Sequence, residues 1–171
     1  CAAHDRPTVG ILTQRYDATQ SYIAASYVKF VEGAGARAVP LHYDRWDAAT
    51  LQKVLASVNG VLLPGGGAEF AGAYWDALQT IFTYATRANA NGIHYPIWGT
   101  CLGFEELLVL GANDTTVLDK GFDGRDFSLP LVLQAPALSS RLFAAMPEHI
   151  RDIVTKQNVT YNNHAAGITP E

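Results

Sequence analysis

The densest chemical content lies in Ile97-Trp98-Gly99-Thr100-Cys101-Leu102-Gly103-Phe104-Glu105. An apolar run of strand length meets a helix-forming run across a turn, and Gly99 and Gly103 bracket the cysteine at its apex. This is the layout of a nucleophile elbow: glycines at those places remove Cβ clashes, so the turn can be tight and the helix can pack close to its strand. A thiolate at the apex sits over the positive end of the helix and is stabilised there, so Cys101 reads as a nucleophile. The competing reading is a small buried cysteine that fills a gap between strand and helix.

Pro64-Gly65-Gly66-Gly67 follows a second strand-length run, Val61-Leu62-Leu63, at the carboxyl edge where α/β sheets build their sites. Glycines there free backbone N–H groups to face a ligand. The N–H of Gly65 or Gly66, paired with that of Leu102 at the helix start, would bind a developing oxyanion at about 3 Å. An ordinary flexible turn is the plain alternative. A phosphate loop is disfavoured, because no Lys-Ser/Thr follows the glycines. A cysteine nucleophile also needs a base, normally histidine. His4 lies at the terminus, His42 at a strand end, His94 at the amino end of the elbow strand and His149 beside a short helix. His164, in the polar stretch Tyr161-Asn162-Asn163-His164-Ala165-Ala166-Gly167, is the candidate to face a cleft, with no acidic residue at 165 or 166 to orient it. No metal site and no cofactor are expected.

The elements that must position these residues are legible as alternating runs. Thr8 to Leu12 reads as a strand and Ser21 to Ala34 as a helix with Ser21 as its cap and Ile23, Tyr27, Val31 and Ala34 at helical spacing. Ala38 to Tyr43 is a strand. Asp47 caps a helix whose Leu51, Val54, Leu55 and Val58 form one stripe. Val61 to Leu63 is a buried strand, followed by a longer helix with Trp75, Leu78, Phe82 and Ala85 on one face. Tyr95 to Trp98 is a strand and Leu102 to Leu110 a helix closed by Gly111. Such alternation predicts a parallel sheet covered by helices on both faces. Beyond Gly111, Thr115 to Leu118 and Leu131 to Gln134 read as strands around a turn-rich stretch from Asp119 to Asp126. Ser140 to Ala145 reads as a short helix.

The composition limits the function classes. The 171 residues carry 12 Lys+Arg against 16 Asp+Glu, a net charge of −4, with 49% hydrophobic and 16% charged residues. That balance lacks the basic surplus of a nucleic-acid binder and is too apolar for a disordered chain. No apolar run reaches the roughly 18 residues of a membrane helix. Two cysteines, Cys1 and Cys101, are too few for a disulfide scaffold or a zinc module. Cys1 followed by Ala2-Ala3 reads as a mature end left by a removed leader, with a lipid-attachment cysteine as the alternative. Asn113-Asp114-Thr115 and Asn158-Val159-Thr160 fit the N-glycosylation pattern, which has meaning on a secretory route.

Five segments together resemble a known family: Gly10-Ile11-Leu12-Thr13-Gln14, Ser21-Tyr22-Ile23-Ala24-Ala25-Ser26-Tyr27-Val28-Lys29, Gly33-Ala34-Gly35-Ala36-Arg37, Leu63-Pro64-Gly65-Gly66 and the run from Trp98 to Leu107. From about residue 7 onward the chain is similar to the gamma-glutamyl hydrolases, which are class I glutamine-amidotransferase-like cysteine hydrolases. The resemblance implies an α/β three-layer sandwich with a mainly parallel central sheet, flavodoxin-like in build. It implies Cys101 as nucleophile, an oxyanion hole from Gly66 and Leu102, and Gly65, Glu105 and His164 on the substrate side. The reaction implied is cleavage of γ-linked glutamate from folate poly-γ-glutamates through a Cys thioacyl-enzyme.

Glu105 stands where glutamine amidotransferases typically carry Gln; it also reads as a buried helix residue, paired to stabilise the elbow. The family's catalytic histidine lies in a Trp-His-Pro-Glu motif that this sequence does not reach. The base His is therefore expected from a segment beyond residue 171, and residues 1–171 are read as a single hydrolase domain lacking its C-terminal part. Three explanations stand for the missing motif: a cut after Glu171 that leaves a second chain, a tail continuing past Glu171, or a truncated homologue without activity. The expected partners are a small-molecule γ-glutamyl substrate, with a C-terminal fragment as second chain and a homodimer left open, and neither nucleic acid nor membrane. Arg15, Arg125 and Arg141 are available for substrate carboxylates, with none singled out. The compartment implied is secreted or lysosomal/vacuolar. The alternatives are a catalytically inactive binding or structural protein on the same fold, and a hydrolase of other γ-glutamyl compounds.

Overall fold

Period-two alternation in short apolar runs builds the central layer of the protein, seen here in a computed structural model that describes residues 6–168. Cys1, His4 and Thr169 lie outside the described residues. Two compact units divide the chain, residues 1–117 and 118–171, and each is described by itself.

In the first unit the elements run β1 (Thr8–Leu12), β2 (Gln14–Arg15), β3 (Ser21–Tyr22), α1 (Ala25–Gly33), β4 (Arg37–Leu41), α2 (Ala48–Leu55), β5 (Gly60–Leu63), α3 (Gly72–Ala90), β6 (Ile97–Gly99) and α4 (Leu102–Ala112). The main sheet has the order β4-β1-β5-β6, and every pairing in it is parallel. Successive side chains fall on opposite faces. Ile11 and Leu62 pack with Val31 of α1 and Ala36, whereas Leu12, Val61 and Leu63 pack with Leu51 and Leu55 of α2 and with Leu78 and Ile81 of α3. Helices therefore cover both faces, and the expected three-layer α/β sandwich is observed. Each such fully buried aliphatic side chain stabilises the fold by roughly 1.5–3 kcal/mol.

Several boundaries differ from the sequence expectation for local reasons. The first helix begins at Ala25, because Ser21–Tyr22 pairs antiparallel with Gln14–Arg15 and the Ser21 hydroxyl donates to Asp44 instead of capping. The second helix is capped as expected: Asp47 accepts from the Thr50 N–H at 2.7 Å. On α3 the buried stripe is Tyr74, Ala77, Leu78, Ile81, Ala85 and Ala88, which leaves Trp75 and Phe82 at its half-buried margin. The elbow helix runs through Gly111 and ends on Asn113, a residue in the left-handed region at φ 53°. Thr115–Val117 forms a 3-10 turn and not a strand; the Asp114 carboxylate accepts from the Thr116 N–H and hydroxyl and curls the backbone locally.

The second unit holds β7 (Gly124–Leu129), α5 (Glu148–Lys156) and β8 (Thr160–His164). β7 and β8 pair antiparallel with an irregularity between Gly124 and Phe127, where Asp126 takes φ 53°. The strand thus starts inside the stretch read as turn-rich. Leu131 to Gln134 is not a strand, and the Leu131 N–H donates to the Val154 carbonyl of α5 at 2.7 Å. Ser140 to Ala145 forms successive turns after a 3-10 turn at Ala137–Ser139 and is not a helix. The helix of this unit is α5, which the sequence reading missed, although Ile150, Ile153 and Val154 carry helical spacing after Pro147.

Candidate functional site

The carboxyl ends of the adjacent strands β5 and β6 bring the two glycine-rich turns side by side. Cys101, the N-terminal flanking residue of α4, holds φ 55° and ψ −118°, a backbone conformation that L residues rarely adopt. Such strain persists only where the surroundings over-determine it. Here they do. A Cβ on Gly103 would overlap the Leu63 carbonyl of β5, and one on Gly99 would overlap the Gly103 carbonyl. The Thr100 N–H donates to Leu63 O at 3.1 Å, and the Gly103 N–H donates to Thr100 O at 3.0 Å. The amides of Phe104 and Glu105 both donate to the Cys101 carbonyl. That leaves the Leu102 N–H, at the first helical position, without a carbonyl partner among the described residues. Cys101 itself is a free, half-buried thiol.

The glycine loop after β5 lies against this turn. A Cβ on Gly65 would stand 3.0 Å from Cys101 Cβ and 3.5 Å from its Sγ. The Gly65 N–H donates to the Tyr27 hydroxyl of α1 at 2.7 Å, so that amide is already engaged. Gly66 is the exposed glycine that follows it. On the residues alone Gly65 and Gly66 are equivalent choices, and Tyr27 belongs to an apolar stripe. Its hydroxyl instead anchors the loop.

Beneath the loop runs a buried polar chain. Gln14 Nε2 donates to the Tyr74 hydroxyl at 2.7 Å, and that hydroxyl donates to Glu106 Oε2 at 3.2 Å. Glu106 has no exposed surface, and its Oε1 has no hydrogen-bond partner among the described residues. Burial, opposed by the Tyr74 hydrogen bond and reinforced by the charge of Glu105, pushes the Glu106 carboxyl up to about 8. Burial, and next the negative charge of Glu106, also raises the Tyr74 hydroxyl far above its usual range. The expectation of a buried, paired helix carboxyl at Glu105 is corrected: Glu105 is half-buried, and that environment belongs to Glu106. On α4 the inward face is Leu102, Gly103, Glu106 and Val109, a helical spacing that passes through Glu106 and not Glu105. The available signal was two consecutive acids inside an apolar helix, one of which had to face inward.

Gln14, Arg15, Tyr22, Tyr43, Gly66 and Tyr74 line part of a cavity of about 430 Å³ beside the loop. A larger groove of about 850 Å³ runs along α2 and α3 past Lys53, Asp76 and Arg87, but none of its lining residues belongs to the elbow or the glycine loop. The smaller cavity reaches the glycine loop at Gly66 and Gly67, and Cys101 is not among its lining residues. His42 stacks edge-on against Trp46 at 5.3 Å, and His94 is exposed before β6. In the second unit His149 is exposed on α5, and His164 closes β8 opposite Gly124. Among the described residues no group of three or more His, Cys, Asp or Glu side chains is gathered to hold a metal ion.

Known proteins match along nearly the whole chain. Gamma-glutamyl hydrolase B of Dictyostelium discoideum is 38% identical over 175 residues, covering 98% of this chain and 50% of that protein. The gamma-glutamyl hydrolase of Rattus norvegicus is 41% identical over 165 residues, covering 93% of this chain and 51% of its own. Gamma-glutamyl hydrolase 1 of Arabidopsis thaliana is 34% identical over 175 residues, covering 96% of this chain and 49% of its own. The chain thus spans about half the length of the curated relatives it matches. Residues 7–114 match the family described as peptidase C26, a span that begins just before β1 and ends just after the elbow helix. A parallel sheet, a strained cysteine turn and a glycine loop lying against it all fall within that span, and the chain belongs to the peptidase C26 family.

Proposed function

We propose that this chain carries the nucleophile and oxyanion-binding part of a cysteine-type hydrolase that cleaves γ-glutamyl bonds of folate poly-γ-glutamates. The observation that carries the reading is the backbone of Cys101, forced to φ 55° between two glycines that admit no side chain. Such a turn lifts the sulfur out over the sheet edge. The thiolate attacks the γ-amide carbonyl, and the N–H groups of Gly66 and Leu102 receive the developing oxyanion. The leaving amine takes the proton that the histidine base drew from the Cys101 thiol, and departs. Water then attacks the thioacyl-enzyme, releasing the γ-carboxylate and the free thiol.

Gly65 is assigned to the substrate side, with its amide held by the Tyr27 hydroxyl. Glu105 and His164 are assigned to the substrate side, and the histidine base to a segment beyond residue 171. Supporting the substrate class are the names of the relatives, all gamma-glutamyl hydrolases. A secreted or lysosomal/vacuolar setting is supported by Asn113 and Asn158, each exposed within an N-glycosylation pattern. No helix among the described residues is long and apolar enough to cross a membrane.

The test is glutamate release from a pteroyl-polyglutamate by the full gene product, compared with its Cys101→Ala variant. Loss of activity by about a thousandfold or more is expected, as for removal of other covalent nucleophiles. Turnover that survives the substitution removes Cys101 from the role.

A further inference from the structure

Three side chains outside the nucleophile and oxyanion set connect the two turns of the site. Gln14 comes from β2, Tyr74 from the first turns of α3, and Glu106 from the same helix that Cys101 begins. At one end of the chain, a Cβ on Gly66 would lie 2.5 Å from Gln14 Oε1 and 2.7 Å from its Cδ, so the Gln14 amide fills the side of Gly66 that a side chain would occupy. At the other end, Glu106 is wholly buried with Oε1 unpartnered among the described residues. A buried carboxyl with one oxygen unpartnered is costly, and it marks either a defect or a group held for use.

The direction of the hydrogen bonds depends on one proton. With Glu106 ionised, Tyr74 donates to Oε2 and must accept from Gln14 Nε2, which leaves the Gln14 carbonyl facing Gly66, as observed. With Glu106 protonated by solvent, its O–H can donate to the Tyr74 oxygen. The Tyr74 hydroxyl is then free to donate to the Gln14 carbonyl. The amide turns half over in the same volume, and its NH2 faces Gly66. A donor there supports an oxyanion, whereas a carbonyl oxygen there opposes it.

We propose that Gln14, Tyr74 and Glu106 form a positioning relay in which the proton on Glu106 sets whether Gln14 presents its amino group or its carbonyl to the oxyanion-binding edge at Gly66. The relay deepens the reading of Gly66 as an oxyanion-binding amide and rests on that reading. Around Glu106 the groups able to bias the proton are Tyr74 from α3, with Tyr43 edge-on to it at 5.4 Å, and Glu105 from its own helix. β5, β6 and the Thr115–Val117 turn also pack on α4, and none of their residues titrates. Protonated Glu106 is the productive form, so kcat falls as pH rises past the value near 8 to which burial pushes this carboxyl.

The experiment measures kcat, KM and the pH profile of kcat on a pteroyl-polyglutamate with the full gene product, together with the rate of Cys101 alkylation by iodoacetamide. Alkylation at sulfur builds no oxyanion, so it reports the nucleophile and the fold without the relay. Tyr74→Phe keeps the ring and deletes the hydroxyl. It is expected to lower kcat at pH 6 by about tenfold or more, a part of the roughly 100-fold cost of losing one oxyanion donor, with KM and the alkylation rate within about twofold. Glu106→Gln, which has no proton to titrate, is expected to move the basic limb of kcat upward from the region of pH 8. A Tyr74→Phe enzyme with kcat within about twofold of the parent, or a Glu106→Gln enzyme with its basic limb unmoved, overturns the relay. Should Tyr74→Phe not fold, Glu106→Gln and Gln14→Met decide the matter by the same readouts. Hydrolysis that persists in Cys101→Ala overturns the underlying reading as well, a result separate from failure of the relay alone.

Discussion

The two units of the chain are stabilised in different ways. Among the described residues, every buried hydrophobic residue lies at or before Val109, in the first unit. From Leu118 to Ile168 no described residue is buried; Val132 is 82% exposed and Leu142 58%. The first unit is a sheet with two apolar faces, each covered by helices. The second rests on strand pairing between β7 and β8 and on backbone contacts such as that of Leu131 with Val154. A packed core ties its elements to the hydrophobic pattern of the sequence, while pairing alone ties them to turns and register, which leave a weaker trace. The contrast also bears on chemistry. The strained cysteine turn of the first unit is held by close packing, since no Cβ fits at Gly99 or Gly103.

Mutations can sharpen or break this contrast. The largest effect is expected in the first core: Leu78→Ala, at a side chain with no exposed surface, should destabilise by about 3 kcal/mol in urea unfolding. A change below about 1 kcal/mol would mean that this core is looser than its burial implies. Next comes the buried acid. Because the folded Glu106 carboxyl titrates near 8 and the unfolded one near its ordinary 4.5, the folded state holds a proton that the unfolded state has released across that window. The stability it contributes is full below about 4.5, declines as pH rises and is lost once pH passes about 8. The slope is at most about 1.4 kcal/mol per pH unit, and Glu106→Gln should flatten it in pH-dependent melting curves.

A smaller loss, about 1 kcal/mol, is expected for Asp47→Ala, which removes the cap on the Thr50 N–H and should appear as a lowered urea midpoint at unchanged slope. The smallest effect belongs to the second unit. Val132→Ser, at an exposed position, should shift stability by less than about 0.5 kcal/mol. A cost there comparable to that of Leu78→Ala would erase the distinction between the two regions.

The amino-acid sequence by itself determined the alternation of strands and helices through Gly111, the Asp47 cap, and the elbow with its two glycines, because each is a short-range signal: a period, a side chain reaching its own backbone, a turn that tolerates no Cβ. It also carried the family resemblance in those same segments. Tertiary structure alone decided which loop amide is already occupied, since Tyr27 and Gly65 meet across 38 positions. Tertiary structure likewise chose Glu106 over Glu105 as the buried acid and joined it to Gln14 through Tyr74. Burial and hydrogen-bond partnership depend on which surfaces other elements cover, and no local pattern encodes that. For the same reason β7 and β8 leave little trace in the sequence, since their positions follow from strand pairing within the second unit, whereas α5 carries a helical spacing of its own in Ile150, Ile153 and Val154.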